Sequence, residues 1–170
     1  SCQQNFAIVT TDGYWNGDTP SDVKTAPKTG SVLQIDGATP IGNLDEKADR
    51  PMYEGGTKTY GTLADVAKYY YDTDLRTEAL GNCYLASDTE KKNNLCTDNV
   101  FVTETDLNAK QHMTTFTLGL GIDGTLQYQK DYKTAEEGDY ANITKGTGTP
   151  SNWPVPVQEK LTTIDDLWHA

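Results

Sequence analysis

Two short apolar runs, far apart in the chain, constrain the fold of these 170 residues more than any other feature. The first, FAIVTT, covers residues 6–11, and the second, MTTFTLGL, covers residues 113–120. Both are rich in β-branched and apolar residues, and each leads into a turn that contains aspartate and glycine. Continuous apolar runs of this length predict strands that are buried on both faces.

The segment YGTLADVAKYYYDTDLR, residues 60–76, predicts the best-defined helix of the chain. Its apolar side chains recur at helical spacing, and Thr62 is placed to cap the first turn. Of its three consecutive tyrosines, Tyr70 is expected in the core, and at least one is expected at the surface or under a loop. A helix between two apolar strands implies a parallel pair with a right-handed crossover, and hence an α/β sheet covered on both faces.

Three long polar stretches accompany these elements, and each is expected to be a loop insertion: about residues 17–61, 77–111 and 129–160. Prolines forbid a continuous helix in the first stretch, although SVLQIDG could supply one strand of a short hairpin. Near the end, LTTIDDLWHA predicts a last helix with a threonine cap and with acidic residues where the helix dipole favours them. The length suits one domain.

Cys83 and Cys96 lie in a polar stretch without periodicity, which little except a covalent link could order. We predict a disulfide between them, since closing a loop of about fifteen residues stabilises a fold by roughly 3 kcal/mol. Two free thiols are the alternative, and a zinc site is disfavoured because neither a CxxC pair nor a nearby histidine pair exists. The bridge needs an oxidising compartment, and the odd Cys2 suggests a partner on sequence outside this chain.

The net charge of the chain disfavours nucleic acid as a partner. Twenty-five acidic and fourteen basic residues give a formal net charge of −11. This charge repels phosphate backbones and anionic headgroups over a Debye length of roughly 8 Å, so nucleic acid is not expected as a partner. No apolar run is long enough to predict a transmembrane segment, and no signal-peptide pattern begins at Ser1, so the chain is expected either to be intracellular or to have its leader elsewhere.

Asp12 directly follows the first predicted strand, at the carboxyl end where parallel α/β sheets bind ligands and metals. Asp-Gly also simply ends strands, so a turn is the alternative interpretation. A divalent ion needs several hard oxygen ligands, and the Asp-x-Ser-x-Ser loop that would complete such a set does not occur in this sequence.

No catalytic residue is assigned. His112 and His169 are expected to be structural, because neither lies beside a serine or cysteine in a nucleophile turn. The acids of residues 72–74 and 165–166 lack the ligand spacing of a calcium loop and are interpreted as solvated. The glycines of GLGIDG lack the pattern of a phosphate loop.

Several phrases together resemble the PilY-type (PilC-type) tip-associated adhesin and assembly proteins of type IV pili: CQQNFAIVTTDGYWNG, YGTLADVAKYYYDTDLR, HMTTFTLGLGIDGTLQY, GDYANITKGT, NWPVP and IDDLWHA. The resemblance reaches from Cys2 to Ala170. It implies that residues 1–170 are the later part of a von Willebrand factor A-like domain, a Rossmann-like parallel α/β sheet that here lacks its first strand. In that family the domain precedes a carboxyl-terminal β-propeller.

The resemblance also implies a role for the strand-end TDG. In von Willebrand A domains this aspartate belongs to a metal-ion-dependent adhesion site, which makes Asp12 a ligand of a divalent cation, Mg or Ca. The other ligands would lie upstream of Ser1, so the ion binds only if they are present. Tyr14 and Trp15 are the expected contact residues for partners, with packing of Trp15 onto the domain as the alternative.

The predicted function is a non-catalytic adhesion and pilus-assembly module at a bacterial cell surface or pilus tip. It would bind pilus subunits (minor pilins) and host or surface receptors through the metal-site edge and the inserted loops. One alternative is a structural fragment associated with pilus filaments that binds no metal. Another is a secreted glycan-active enzyme, although adjacent acids do not by themselves bracket a glycosidic bond across about 5–9 Å.

Overall fold

The computed structural model describes residues 4–14 and 32–170. In this part of the chain the elements follow in the order β1 (Asn5–Thr11), α1 (Leu63–Asp72), β2 (Met113–Gly119), α2 (Asp139–Lys145) and α3 (Thr162–His169). The predicted order of strand, helix and strand is confirmed. Among the described residues, no helix has the length and apolar character needed to cross a membrane.

The two strands pair in parallel, as predicted, with Asn5 opposite Met113 and Thr11 opposite Gly119. Parallel strands place their carboxyl ends at the same edge of a sheet. The chain just beyond β2 joins this edge, because the backbone N–H of Leu120 donates to the carbonyl of Thr11 at 2.8 Å. The turn after β1 and the turn after β2 are therefore neighbours.

The prediction that both strands are fully buried is wrong. Phe6, Ile8, Phe116 and Leu118 share one face of the pair, and these residues are 51% to 72% exposed. Alternate residues such as Ala7 point to the other face and are partly buried. An apolar run indicates that a strand favours burial, but it does not identify the segment that covers it. This face lines an open cavity together with Trp168 and His169 of α3, and no described helix packs closely enough to bury it. We call it the bare sheet face.

Helix α1 begins as predicted. The hydroxyl of Thr62 accepts from the N–H of Asp65 at 3.1 Å, and the carboxylate of Asp65 accepts from the N–H of Thr62 at 3.0 Å. The prediction of Tyr70 in the core is wrong, since Tyr69 is the buried tyrosine and Tyr70 is only partly buried. The hydroxyl of Tyr69 accepts from the N–H of Ile35 at 3.1 Å, so the loop before α1 covers that side of the helix.

A hydrophobic core cluster joins Leu126, Ile143 and Trp153, with Tyr140 and Trp168 packed against it. The expectation of a loop over residues 129–160 is wrong over α2, whereas Trp153 lies in irregular chain but is buried. Helix α2 has no side-chain N-cap and spans only seven residues, which explains why its pattern is weak. Its end is clear in retrospect, because Gly146 adopts the left-handed conformation that glycine favours (φ 67°).

The threonine cap predicted for α3 is also wrong. Leu161 occupies the N-cap position without a side-chain hydrogen bond, and Thr162 is already helical. The hydroxyl of Thr162 instead accepts from the N–H of Val157 at 3.0 Å. It therefore fastens the preceding segment to the start of the helix.

The first polar stretch contains no helix or strand between residues 32 and 61. Its hairpin is reduced to one antiparallel bridge, between Leu33 and Pro40, around a turn closed by Gln34 N–H donating to the Thr39 carbonyl at 2.7 Å. Residues 17–31 of the same stretch lie outside the described part of the chain.

Candidate functional site

Asp12 lies directly after β1 with an exposed side chain. The turn around it is held by Thr11, whose hydroxyl donates to the Gly13 carbonyl at 2.7 Å and accepts from the Gly13 N–H at 3.2 Å. Asp123, in the turn that follows β2, is exposed as well. The carboxyl edge of the β1–β2 pair thus presents an accessible carboxylate after each strand.

Tyr14 is 39% exposed next to this edge, whereas Trp15 lies outside the described residues. Within residues 4–14 and 32–170, no group of three histidine, cysteine or acidic side chains is arranged to hold a metal ion. Asp12 therefore has the accessibility of a ligand, and further ligands would have to come from elsewhere.

The predicted disulfide between Cys83 and Cys96 is present, with Cys83 buried. The bridge is supported by hydrogen bonds on either side. The N–H of Leu95 donates to the Cys83 carbonyl at 2.7 Å, and the side-chain amide of Gln111 donates to the carbonyls of Leu95 and Thr97 at 2.6 and 3.2 Å. Because Gln111 lies just before β2, the disulfide stretch is tied to the start of that strand. The third cysteine, Cys2, lies outside the described residues.

His112 is buried and has a hydrogen bond at each ring nitrogen. Its Nδ1 lies 2.7 Å from the Lys110 carbonyl, and its Nε2 lies 3.0 Å from the carboxylate of Asp106. The other oxygen of Asp106 accepts from the Tyr71 hydroxyl at 2.9 Å. Burial and this carboxylate raise the pKa of Tyr71 to about 12. Both nitrogens of His112 are engaged, which supports its expected structural role.

Four carboxylates from separate parts of the chain form a group that the sequence did not reveal: Asp45, Glu54, Asp65 and Asp166. We call it the buried acid cluster, since each residue is at most 6% exposed. The first two come from the loop before α1, the third from α1 and the last from α3. The interpretation of residues 165–166 as solvated acids is therefore wrong, because Asp165 is buried too.

The carboxylate of Asp166 caps α1 from another helix. It accepts from the N–H of Leu63 at 2.9 Å and, through its second oxygen, from the N–H of Ala64 at 3.3 Å. The first N–H groups of a helix have no partner within it, and the helix dipole favours a negative charge there. Helix α3 thus helps to start α1.

The neighbouring Asp165 performs the same task for the turn after β2. Its carboxylate accepts from the N–H and hydroxyl of Thr125 at 3.1 and 2.5 Å, and from the N–H of Leu126 at 3.0 Å. A Cβ at Gly124 would lie 2.0 Å from an oxygen of Asp165, so only glycine fits that position. The consecutive aspartates of α3 therefore hold two segments in place.

Glu54 and Asp65 are satisfied locally. Glu54 accepts from the side-chain amide of Asn43 at 2.6 Å and from the N–H and hydroxyl of Thr59 at 2.9 and 2.5 Å. Asp65 accepts from the N–H of Leu44 at 2.7 Å, in addition to its bonds in the α1 cap. Burial raises the pKa of both acids.

Asp45 differs from the other three members, since neither of its oxygens has a hydrogen-bond partner among the described residues. The nearest cationic candidate is His169, with Nε2 at 3.8 Å, but this nitrogen also bonds the Met52 carbonyl at 2.8 Å. Burial, together with the charges of Asp65 and Glu54, raises the pKa of Asp45 to about 8. Burial also lowers the pKa of His169 to about 4, so the two groups face each other uncharged at neutral pH.

Most of these polar side chains serve the fold. Asp166, whose pKa burial raises to about 7, and Asp165 act as helix and turn caps. The ring of His169 stacks on Trp153, with centroids 4.5 Å apart. The sequence signal that could have revealed the buried acids is their position among apolar residues on α3, in IDDLWH. An acid on an apolar helix face favours a capping role over a solvated one.

Comparison with known proteins gives one consistent result. Two relatives from Pseudomonas aeruginosa, strains PAO1 and PAK, are each 30% identical to this chain over 170 residues. A third, from strain UCBPP-PA14, is 28% identical over 185 residues. All three are named Type IV pilus biogenesis factor PilY1.

The aligned regions include all of this chain but only 13% to 14% of each relative. The chain therefore spans about an eighth of the length of the curated relatives it matches. No family model matches it, and no solved structure matches it. By sequence, the whole chain is similar to one segment of these much longer pilus biogenesis factors.

Proposed function

We propose that this chain is the later part of a von Willebrand factor A-like domain in a bacterial type IV pilus protein. Its role is non-catalytic, in pilus assembly and adhesion at the cell surface or pilus tip. The observation that carries the proposal is the 30% identity over all 170 residues to proteins named type IV pilus biogenesis factors.

The fold supports this proposal at two points. The parallel β1–β2 pair with α1 between the strands in sequence is a unit of Rossmann-like sheets. The bare sheet face suits a unit that is completed by further elements of a longer protein. The Cys83–Cys96 disulfide supports an extracellular location, because such bonds persist in oxidising compartments.

The proposed binding region is the carboxyl edge of β1, with Asp12 as a ligand for Mg or Ca and with Tyr14 and Trp15 as contacts for minor pilins or surface receptors. Asp12 and Tyr14 are accessible there. Carboxylate oxygens are the ligands that both cations prefer. The remaining ligands would be supplied by other parts of the longer protein.

A segment exchange tests the assignment to pilus assembly. In Pseudomonas aeruginosa, the matched segment of PilY1 is replaced by this chain, and surface pili are counted by electron microscopy. The expected result is pili on cells with the chimera and none on cells whose PilY1 lacks the segment. A chimera with the destabilising change Trp153→Ala serves as the negative control, since it tests whether pilus assembly requires the folded segment. A chimera that is made and exported at the normal level but leaves cells bare would contradict the proposal.

The metal-binding edge is tested in the same chimera with Asp12→Ala, against Asp98→Ala, which removes an exposed acid elsewhere. We expect Asp12→Ala to reduce surface attachment and to abolish magnesium or calcium binding measured by calorimetry. Unchanged metal binding by Asp12→Ala would remove Asp12 from the ligand set. If the chimera binds neither ion and the two variants attach alike, the alternative of a structural segment without metal holds instead.

A further inference from the structure

The buried acid cluster places four carboxyl groups close together and away from solvent. Its four carboxylates come from three elements, and their hydrogen-bond donors are neutral N–H, amide and hydroxyl groups. No lysine or arginine of the described chain forms an ion pair with any of them, and among the described residues only His169 places a basic nitrogen within 4 Å of a cluster carboxylate. Four charges in such surroundings would be costly unless some were neutralised.

Of the four carboxylates, that of Asp45 is the one most easily neutralised by protonation. The other three carboxylates already accept hydrogen bonds from N–H groups, which favour the charged form. Asp45 is 1% exposed, and both of its oxygens are unpaired. A proton is the smallest ligand that could occupy this position, and it would remove the charge that receives no compensation.

The location of Asp45 gives its protonation a structural consequence. The loop of residues 41–54 contacts α1 through the Leu44 N–H, which donates to Asp65, and it contacts α3 through the Met52 carbonyl, which accepts from Nε2 of His169. Asp45 lies between these two attachments in sequence and faces acids of both helices. Its ionisation would therefore repel the loop from α1 and α3 together.

We propose that Asp45 is a pH-sensitive latch: its protonated carboxyl allows the 41–54 loop to dock on α1 and α3, and its ionisation in mildly alkaline solution loosens the loop. The groups that face it are Glu54 from the loop itself, Asp65 from α1, and Asp166 and His169 from α3.

The direction of the pH effect follows from the shifts. The folded pKa of Asp45, about 8, and that of Asp166, about 7, are above the ordinary value of 3.8. Each therefore contributes stability that is full below pH 3.8, declines as the pH rises, and is lost once the pH passes the folded pKa. The folded pKa of His169, about 4, is below its ordinary 6.5, so its contribution is lost as the pH falls through 4. Between pH 6.5 and 8.5 the carboxyls therefore dominate.

The test is urea unfolding of the 170-residue chain at pH 6.5, 7.5 and 8.5, for the natural sequence and for Asp45→Asn. The matched control is Asp36→Asn, which changes an exposed aspartate in the same polar stretch. We expect the urea midpoint of the natural chain and of the control to fall as the pH rises, and that of Asp45→Asn to fall by less than half as much. An equal fall in all three would overturn the proposal.

A second measurement does not depend on the folding of a variant. Carboxyl carbon chemical shifts of the natural chain are followed by NMR between pH 3 and 9. If Asp45 is the latch, it titrates with a midpoint near 8. Asp36 titrates in acid, because its hydrogen bonds with Thr39 lower its pKa. Complete titration of Asp45 below pH 5 would overturn the proposal. The proposal would also be overturned if calcium at pH 8.5 raised the urea midpoint and a lower pH did not. The ligand of Asp45 would then be a metal ion.

Discussion

The aromatic core around α2 and α3 and the bare sheet face of β1 and β2 use apolar residues in opposite ways. In the first region, Trp153 and Ile143 are buried within a cluster of touching rings, among them Tyr140 and Trp168, which are stacked 5.8 Å apart. In the second, Ile8 and Phe116 are more exposed than buried. The region with the stronger strand pattern is thus the one that this chain leaves uncovered.

The difference separates two properties that a hydrophobic pattern combines. A pattern of β-branched residues predicts the local conformation, and it does so correctly for both strands. Burial depends on which other elements pack against the strand. The members of the aromatic core cluster lie within residues 126–168 and bury one another, whereas the side chains of the bare sheet face stay largely exposed in this chain.

The largest effect is expected in the aromatic core. Trp153→Ala removes a buried ring that stacks on His169 and donates to the Pro51 carbonyl at 2.7 Å. We expect a loss of about 3–5 kcal/mol in the free energy of unfolding, measured with urea. Leu107→Ala, at a residue that is 78% exposed, is the control and should change it by less than about 0.5 kcal/mol. Similar losses of unfolding free energy in the two variants would contradict the distinction between core and surface.

The next largest effect is expected from the Cys83–Cys96 disulfide, whose stretch is tied to the start of β2. Replacing both Cys83 and Cys96 by alanine opens a loop whose ends are 13 residues apart in sequence. The free energy of unfolding should fall by about 3 kcal/mol, since the unfolded chain regains loop entropy. Amide hydrogen exchange should increase first around Leu95 and Gln111, which bond beside the bridge. Increased exchange in α2 instead would show that the two regions are not separate.

A smaller effect tests the joint between the regions. Asp166→Ala leaves the N–H groups of Leu63 and Ala64 without their carboxylate partner, and this should cost about 1–3 kcal/mol. Asp166→Asn keeps one acceptor and should cost less. Circular dichroism and urea unfolding measure both variants. If alanine and asparagine are equally tolerated, α3 does not stabilise the start of α1.

The smallest effect comes from one substitution made at two positions. Ile8→Thr, on the bare sheet face, should change the free energy of unfolding of the 170-residue chain by less than about 0.5 kcal/mol, because threonine keeps the β-branched shape. Ile143→Thr, at a fully buried position, places a hydroxyl in the core and should cost more than about 1 kcal/mol. Equal losses at the two positions would contradict the comparison.

The elements that the sequence predicted well are those defined by neighbouring residues. Helix α1 has apolar positions at helical spacing and a capping box within Thr62–Asp65, and both strands are continuous apolar runs. The disulfide was also predictable, because its two cysteines lie close together in one polar stretch. In each case a few consecutive residues contain all the necessary information.

The features that were missed depend on distant partners. Asp166 caps Leu63 from 103 residues away, so nothing near IDDLWH indicates what it binds. Asp45 is buried where its loop faces Asp65 of α1 and Asp166 of α3, which lie far away in sequence. Helix α2 is too short to show a full period, and packing of Ile143 in the core determines its place more than local pattern does.

We propose that this chain is one segment of a larger pilus protein whose other parts cover the bare sheet face. A thiol placed there by Ile8→Cys reports this directly, through its rate of alkylation in the 170-residue chain and in the PilY1 chimera, followed by peptide mass spectrometry. We expect rapid reaction in the chain alone and a rate lower by about tenfold or more in the chimera, because a covered site must open before it reacts. Equally rapid reaction in both would contradict it.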